Sequence, residues 1–240
     1  MIKLAITGCL GRMGQSITRL ALQDNAFEIT TILEYDGHPQ INEEVNGLSI
    51  TSNREAIKGC DCLIDFTTPA STLENLKVCV ENKVGIIIGT TGLTEEDSKT
   101  MEEAAKVIPI VYSGNMSTGV NILFKLTQTL SATAPVNYKA AVTEAHHIHK
   151  KDAPSGTAKM IEKIIDTASE DRTRSKTDSI REGEIIGDHS ITFESDQDII
   201  TISHHAKNRD IFAIGALTAA KFLASKQTGL FNMQDVLGLN

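Results

Sequence analysis

A chain of 240 residues has room for one large domain or two modest ones, and 40% hydrophobic with 22% charged residues is ordinary globular usage, which excludes a mainly disordered or fibrous polypeptide. A net charge of −8 argues against a general nucleic-acid surface, which needs excess Lys and Arg to neutralise phosphates, so any anion site has to be local. No apolar run approaches the ~18–20 residues that span a bilayer, and Met1 to Ile6 lacks the make-up of a signal peptide, so a cytoplasmic protein with no membrane partner is expected.

Ile2 to Thr7 is a short apolar, β-branched stretch that stops at Gly8, as a buried strand does before a turn. Gly8-Cys9-Leu10-Gly11-Arg12-Met13-Gly14 follows, and Gln15 to Gln23 then places Ile17, Leu20 and Ala21 on one helical face. Phe27 to Leu33 predicts a second strand with Glu34 at its carboxyl end, 20 residues beyond Gly14 (34 − 14). Strand, glycine turn, helix and a distant acid are the parts of a dinucleotide-binding unit: glycines let the backbone approach a pyrophosphate, the helix start offers N–H groups, and the acid accepts the ribose hydroxyls. A carboxylate at Glu34 repels a 2′-phosphate, and Tyr35 follows in place of an arginine that would hold one. NADH is therefore expected to bind at least as well as NADPH.

The alternation continues with a strand over Cys62 to Phe66, a helix over Ala70 to Asn82, and a strand over Val84 to Ile88 that closes on Gly89-Thr90-Thr91-Gly92. Thr94 caps a helix of about a dozen residues with Asp97 in the capping pattern, and Ile108 to Tyr112 is a further strand ending at Ser113-Gly114-Asn115-Met116. In open parallel sheets ligands bind beyond the carboxyl ends of the strands, which singles out the loops 8–14, 66–69, 89–92 and 113–116. After a helix from Ser117 to Ala132 the pattern changes. Tyr138 to Glu144, Ser190 to Glu194 and Ile199 to His204 read as strands of a separate sheet, with a hairpin turn at Asp196-Gln197, and 170–182 reads as a polar, mobile loop. Asp210 to Ser225 is a helix that carries the chain back. The expected fold class is α/β: an N-terminal Rossmann-like dinucleotide-binding domain, 1–116 plus 210–240, with an inserted α+β substrate-binding and oligomerisation domain, 117–209. Cys9, Cys60, Cys62 and Cys79 make no zinc or C-x-x-C spacing and read as reduced, buried thiols.

The densest chemistry lies in Glu144-Ala145-His146-His147-Ile148-His149-Lys150-Lys151-Asp152-Ala153-Pro154-Ser155-Gly156-Thr157-Ala158. Three of the seven histidines fall within four residues, and three lysines against one aspartate between His146 and Lys159 give a local excess of positive charge. Pro154-Ser155-Gly156-Thr157 opens a helix whose free N–H groups suit a carboxylate. His147 and His149 would share one face of a strand, yet no carboxylate or cysteine ligand accompanies them at a fitting spacing, so no metal is expected. A solvated basic loop is the bland alternative. A substrate site, in which an imidazole donates a proton and ammonium groups hold an anion, accounts for more of the segment.

The opening glycine loop, Asp65-Phe66-Thr67, Gly89-Thr90-Thr91-Gly92 and above all the segment Glu144 to Ala158 resemble the 4-hydroxy-tetrahydrodipicolinate reductase (dihydrodipicolinate reductase) family over essentially the whole chain. The resemblance implies NAD(P)H-dependent reduction of a cyclic, conjugated imine bearing two carboxylates, in diaminopimelate and lysine synthesis. It implies that His146 is the catalytic acid, that Lys150 shares proton donation or polarises the substrate, and that His147, Gly156, Thr157 and Arg209 hold the dicarboxylate. Gly8, Cys9, Leu10, Gly11, Arg12, Met13, Glu34, Gly89, Thr90, Thr91, Ser113, Gly114, Asn115 and Met116 line the cofactor on the same ground. A homotetramer is implied as well.

Overall fold

The computed structural model describes residues 1–168, 174 and 176–240. The chain divides into two compact units, Met1–Met116 with Phe212–Gly238 and Asn240, and Ser117–Ile211 with Leu239.

The first unit is built on an eight-stranded sheet. Its strands are β1 (Ile2–Thr7), β2 (Phe27–Leu33), β3 (Glu44–Val45), β4 (Leu48–Thr51), β5 (Cys62–Asp65), β6 (Gly85–Ile88), β7 (Pro109–Tyr112) and, in chain order the last, β12 (Gly229–Phe231). They lie in the order β12-β7-β6-β5-β1-β2-β4-β3, all parallel except the β3–β4 pair. Helices α1 (Arg12–Ala21), α2 (Pro69–Asn82) and α3 (Glu95–Ala104) make the crossovers. The central strands read as unbroken apolar runs because both faces are covered: Leu4, Ile6, Ile64 and Ile87 belong to one core, Ala5, Leu63, Ile86 and Ile88 to another. Helix α6 (Asp210–Leu223) supplies Ala213, Ala216, Ala219 and Ala220 to the first of these, small side chains that let it lie close. The capping box of α3 forms as its sequence predicts, Thr94 Oγ1 accepting from the Asp97 amide and Asp97 from the Thr94 amide. Helix α2 ends on Lys83, whose φ of 56° is left-handed.

The strand order turns back at β1, which pairs with β2 on one side and β5 on the other. A crevice at such a reversal is where a doubly wound sheet binds its ligand.

The second unit has a four-stranded sheet, β11-β10-β8-β9, with β8 (Lys139–His146), β9 (Asp178–Arg181), β10 (Asp188–Glu194) and β11 (Ile199–His205). Helices α4 (Thr118–Thr133) and α5 (Gly156–Ala168) cover one face, where Leu123, Ile161 and Ile165 pack on Val142, Ile191 and Phe193. Part of the segment expected to be a mobile loop is structured: Asp178–Arg181 pairs in parallel with β8 as an edge strand, with Ser179 opposite Glu144 and Arg181 opposite His146. Residues 170–173 and 175 of that segment lie outside the described residues. His147 and His149 do not share a strand face; β8 ends at His146, and a turn follows in which Lys150 donates its amide to the His147 carbonyl.

Candidate functional site

In the first unit the loop after β1 is shaped by its glycines. Gly8 has φ +65°, and a Cβ at Gly14 would lie 2.1 Å from the Gly8 carbonyl oxygen, so helix α1 can start this close to the strand only with glycine there. Gly11 precedes α1 without a side-chain cap, leaving the first-turn amides of Arg12 and Met13 directed at whatever lies beyond the helix start. Glu34 ties into this loop, one oxygen accepting from the Leu10 amide at 3.1 Å and the other from the Tyr35 amide at 3.1 Å.

The loops after β5 and β6 are held by one buried carboxylate. Asp65 accepts from the Thr67 amide (2.9 Å) and hydroxyl (2.6 Å), from the Thr90 hydroxyl (3.2 Å) and from Asn75 Nδ2 (3.0 Å). Gly89 is required because a Cβ there would meet the Phe66 ring at 2.3 Å. After β7, the Ser113 hydroxyl bonds the Asn115 carbonyl at 2.8 Å, and Gly114 is exposed. A cavity of about 250 Å³ opens beside these elements, with Gly8, Gly11, Glu34, Tyr35, Arg54 and Thr67 in its lining.

Two residues expected at the cofactor have their side chains elsewhere. Met116 is 1% exposed within the core, and Cys9 packs with Ile32 and Ile50, its thiol pushed up to about 11 by burial and then by Glu34. The glycine cradle, the uncapped helix start and the acid on the cavity rim together fit a dinucleotide.

In the second unit, the helix-covered face of the sheet changes character along β8. Val142 and Ile191 form an apolar row with Ile202; the next row reads His204, His189, Glu144, Ser179 across the four strands, and beyond it His146 pairs with Arg181. The period of two along a strand puts Glu144 and His146 on the same face. Glu144 is fully buried, an expense unless every lone pair is used. His146 Nδ1 hydrogen-bonds one oxygen; the other accepts from Arg181 at 2.7 Å and from the Ser155 amide at 3.3 Å. Burial pushes the Glu144 carboxyl up, but hydrogen bonds from Arg181 first, then Ser179 and His146, outweigh it and hold it below the usual range. The His146 imidazole sits below its ordinary value because of burial, with Glu144 pulling the other way and Lys150 and Arg181 adding to the depression. His189 stacks edge-on against His146 with centroids 5.3 Å apart and is held down at about 4, by burial first and by His146 next.

Ser155 closes this cluster and opens α5: its hydroxyl accepts from the Ala158 amide at 3.1 Å and lies 3.3 Å from His189 Nε2. Gly156 at the helix start has open space where a Cβ would be, and Thr157 is half-buried beside it. Lys150 Nζ pairs with Asp152 at 2.8 Å, and His147 is half-buried. Arg209 stands in the turn between β11 and α6 and does not enter this hydrogen-bond network. Glu144, His146 and His189 bring one ligand atom each within 4.8 Å of the others, a grouping the sequence reading did not foresee. The carboxylate there is already committed to an imidazole and a guanidinium, which is the chemistry of a proton-holding network.

Family comparisons cover the whole of this chain. The model described as "Dihydrodipicolinate reductase, N-terminus" matches residues 2–116, and "Dihydrodipicolinate reductase, C-terminus" matches 119–237. The chain belongs to the dihydrodipicolinate reductase family. It is thereby an NAD(P)H-dependent oxidoreductase. It is 40% identical over 266 positions to the 4-hydroxy-tetrahydrodipicolinate reductase of Trichlorobacter lovleyi, with all of both chains covered, and 39% identical over 265 positions to that of Nitrosomonas eutropha, covering 100% of this chain and 99% of the relative. A solved structure of similar fold is the dipicolinate-bound dihydrodipicolinate reductase from Paenisporosarcina sp. TG-14, with a TM-score of 0.84 at 23% identity over 98% of each chain.

Sequence reasoning missed Arg54 on the cavity and Arg181, His189 and Gly187 around His146. The alternation of Glu144 with His146 was a readable signal for a shared face; the partners from β9 and β10 were not local enough to find.

Proposed function

We infer that this chain reduces 4-hydroxy-tetrahydrodipicolinate to tetrahydrodipicolinate, with His146 as the proton donor and Lys150 beside it. The observation that carries the reading is the joining of a buried, hydrogen-bonded imidazole to the start of α5 through Glu144 and the Ser155 amide. The reduced nicotinamide, when bound, supplies a hydride. The chain's own residues bind the dianion and deliver the proton: Gly156, Thr157, His147 and Arg209 receive the carboxylates, while His146 and Lys150 face the nitrogen on which negative charge develops. His146 is depressed in the free protein, and an arriving dicarboxylate raises its proton affinity, which favours the charged acid when substrate is present. Dipicolinate, a planar dicarboxylate, is the natural probe of this anion site.

Gly8 to Met13, with Glu34, Gly89 to Thr91 and Ser113 to Met116, hold the cofactor. Glu34 favours a free 2′-hydroxyl, while Arg54, bonded through Nε to Asn75 at 2.9 Å, offers a cation to a 2′-phosphate in the same cavity, so both NADH and NADPH are used and NADH binds at least as well. The sheet face of the second unit opposite α4 and α5 carries Ala141, Thr143, Thr192, Thr201 and the 60%-exposed Ile199, which supports association of copies into a homotetramer. No described helix is long and apolar enough to cross a membrane, and a cytoplasmic site of action fits a biosynthetic reductase. Coupling the protein to dihydrodipicolinate synthase and following NADH absorbance tests the assignment: oxidation that depends on the synthase product supports it, and none with either nucleotide refutes it.

A further inference from the structure

The carboxylate of Glu144 is fully buried, a costly placement for a charge. It stands on the covered face of β8 directly after Ala140 and Val142, in a position where the strand's own pattern calls for an apolar side chain. Packing alone would be served by valine or leucine there. Instead the fold supplies donors that keep a charge, among them His146 on the same strand, Arg181 from β9 and the Ser155 amide at the head of α5. Arg181 is itself fixed, donating to the Asp152 carbonyl at 2.6 Å and the Ile180 carbonyl at 2.7 Å.

A carboxylate that accepts from Nδ1 selects one tautomer and leaves Nε2 as the atom that takes up and releases the working proton. The far side of the ring is arranged to match. Nε2 faces Gly187, where a Cβ would stand 3.0 Å away, so any larger residue at that position would crowd the nitrogen. His189, held neutral across from it, adds no competing charge.

We propose that Glu144 is a positioning residue for the reaction: anchored by Arg181 and the Ser155 amide, it orients His146 through Nδ1 so that Nε2 delivers the proton, and it ties that imidazole to the helix start that receives a substrate carboxylate. The inference rests on the reading of His146 as the acid. The charged and titratable groups around that ring are Glu144 on its own strand, Arg181 from β9, His189 from β10 and Lys150 from the turn after β8. Of these only Glu144 favours the protonated ring.

The test combines kinetics with nitrogen NMR of the imidazole. In the unaltered protein, ¹⁵N spectra assigned through His146→Gln should show the neutral His146 ring protonated at Nδ1; protonation at Nε2 would overturn the proposal whether or not any variant folds. Glu144→Gln should lower kcat by about tenfold or more with KM changed less than about threefold, and the limb on which activity falls with rising pH should move to lower pH, because the anion that favours the imidazolium is gone. Glu144→Asp should recover part of the loss. A kcat within twofold of the parent with an unmoved limb would show that Glu144 is structural only. If His146→Ala itself keeps full activity, the underlying assignment of the acid fails; if it is inactive while Glu144→Gln is not, only the positioning role does.

Discussion

Gly14 stands directly over Gly8, so that a methyl group added to Gly14 would lie 2.1 Å from the Gly8 carbonyl oxygen and 2.7 Å from Cys9 Cα. The atoms in the way are backbone and cannot swing aside. Gly14→Ala must therefore push α1 away from β1. We expect a loss of about 1–3 kcal/mol in urea denaturation and at least about tenfold weaker NADH binding by fluorescence, since the displaced helix start no longer meets the pyrophosphate. Unchanged affinity would separate the glycine turn from cofactor binding.

His146→Ala should reduce kcat by about 10²–10⁴ and leave NADH affinity as it was, because no part of the glycine loop depends on the imidazole. Lys150→Ala should impair both kcat and KM, its ammonium being free to leave Asp152 for an anionic ligand. Steady-state kinetics paired with dipicolinate titration separates the two effects, and normal dipicolinate binding in Lys150→Ala would remove that lysine from the anion site.

Glu34 and Arg54 line one cavity with opposite charge. Glu34→Ala should weaken NADH more than NADPH; Arg54→Ala should do the reverse. The ratio of kcat/KM for the two nucleotides reads both, and a ratio that moves the same way in each variant would dissociate these residues from the ribose end of the cofactor.

His189 makes stability depend on pH. Folded, it takes a proton only at about 4; unfolded, it does so near 6.5. Between those values the unfolded chain binds a proton that the native state refuses, so the native state is fully stable above about 6.5 and loses ground as pH falls towards 4, by about 3 kcal/mol from this one side chain. His189→Asn should flatten that part of the stability profile relative to the parent. Urea midpoints measured from pH 7 to 4.5 decide it, and parallel curves would refute the linkage.

Much of the fold was legible because its signals are local. The apolar runs of β1, β5 and β6 need no partner to be recognised, and Thr94 with Asp97 announces the start of α3. Helix α1 begins three residues earlier than its amphipathic pattern suggested, since Gly14, a poor helix former, is demanded there by the contact with Gly8. The β3–β4 pair escaped notice although Asn46-Gly47 between them is a hairpin signal; two- and four-residue strands give too little alternation to read. Edge strands β9 and β12 are short and polar or isolated, and their pairing is decided by neighbours far along the chain. The site divides the same way. His146 and Lys150 share one dense segment, whereas Arg181 reaches Glu144 across 37 residues from a stretch whose composition suggests only a loop.

Helix α2 closes on Lys83 in a left-handed conformation, the geometry in which every side chain beyond hydrogen is a burden. Replacing that lysine by glycine is expected to stabilise the fold by up to about 1 kcal/mol, read as a higher urea midpoint. The position belongs to neither the glycine turn nor the imidazole network, so it offers a sturdier parent in which risky exchanges at buried Glu144 can be made and still yield protein to assay.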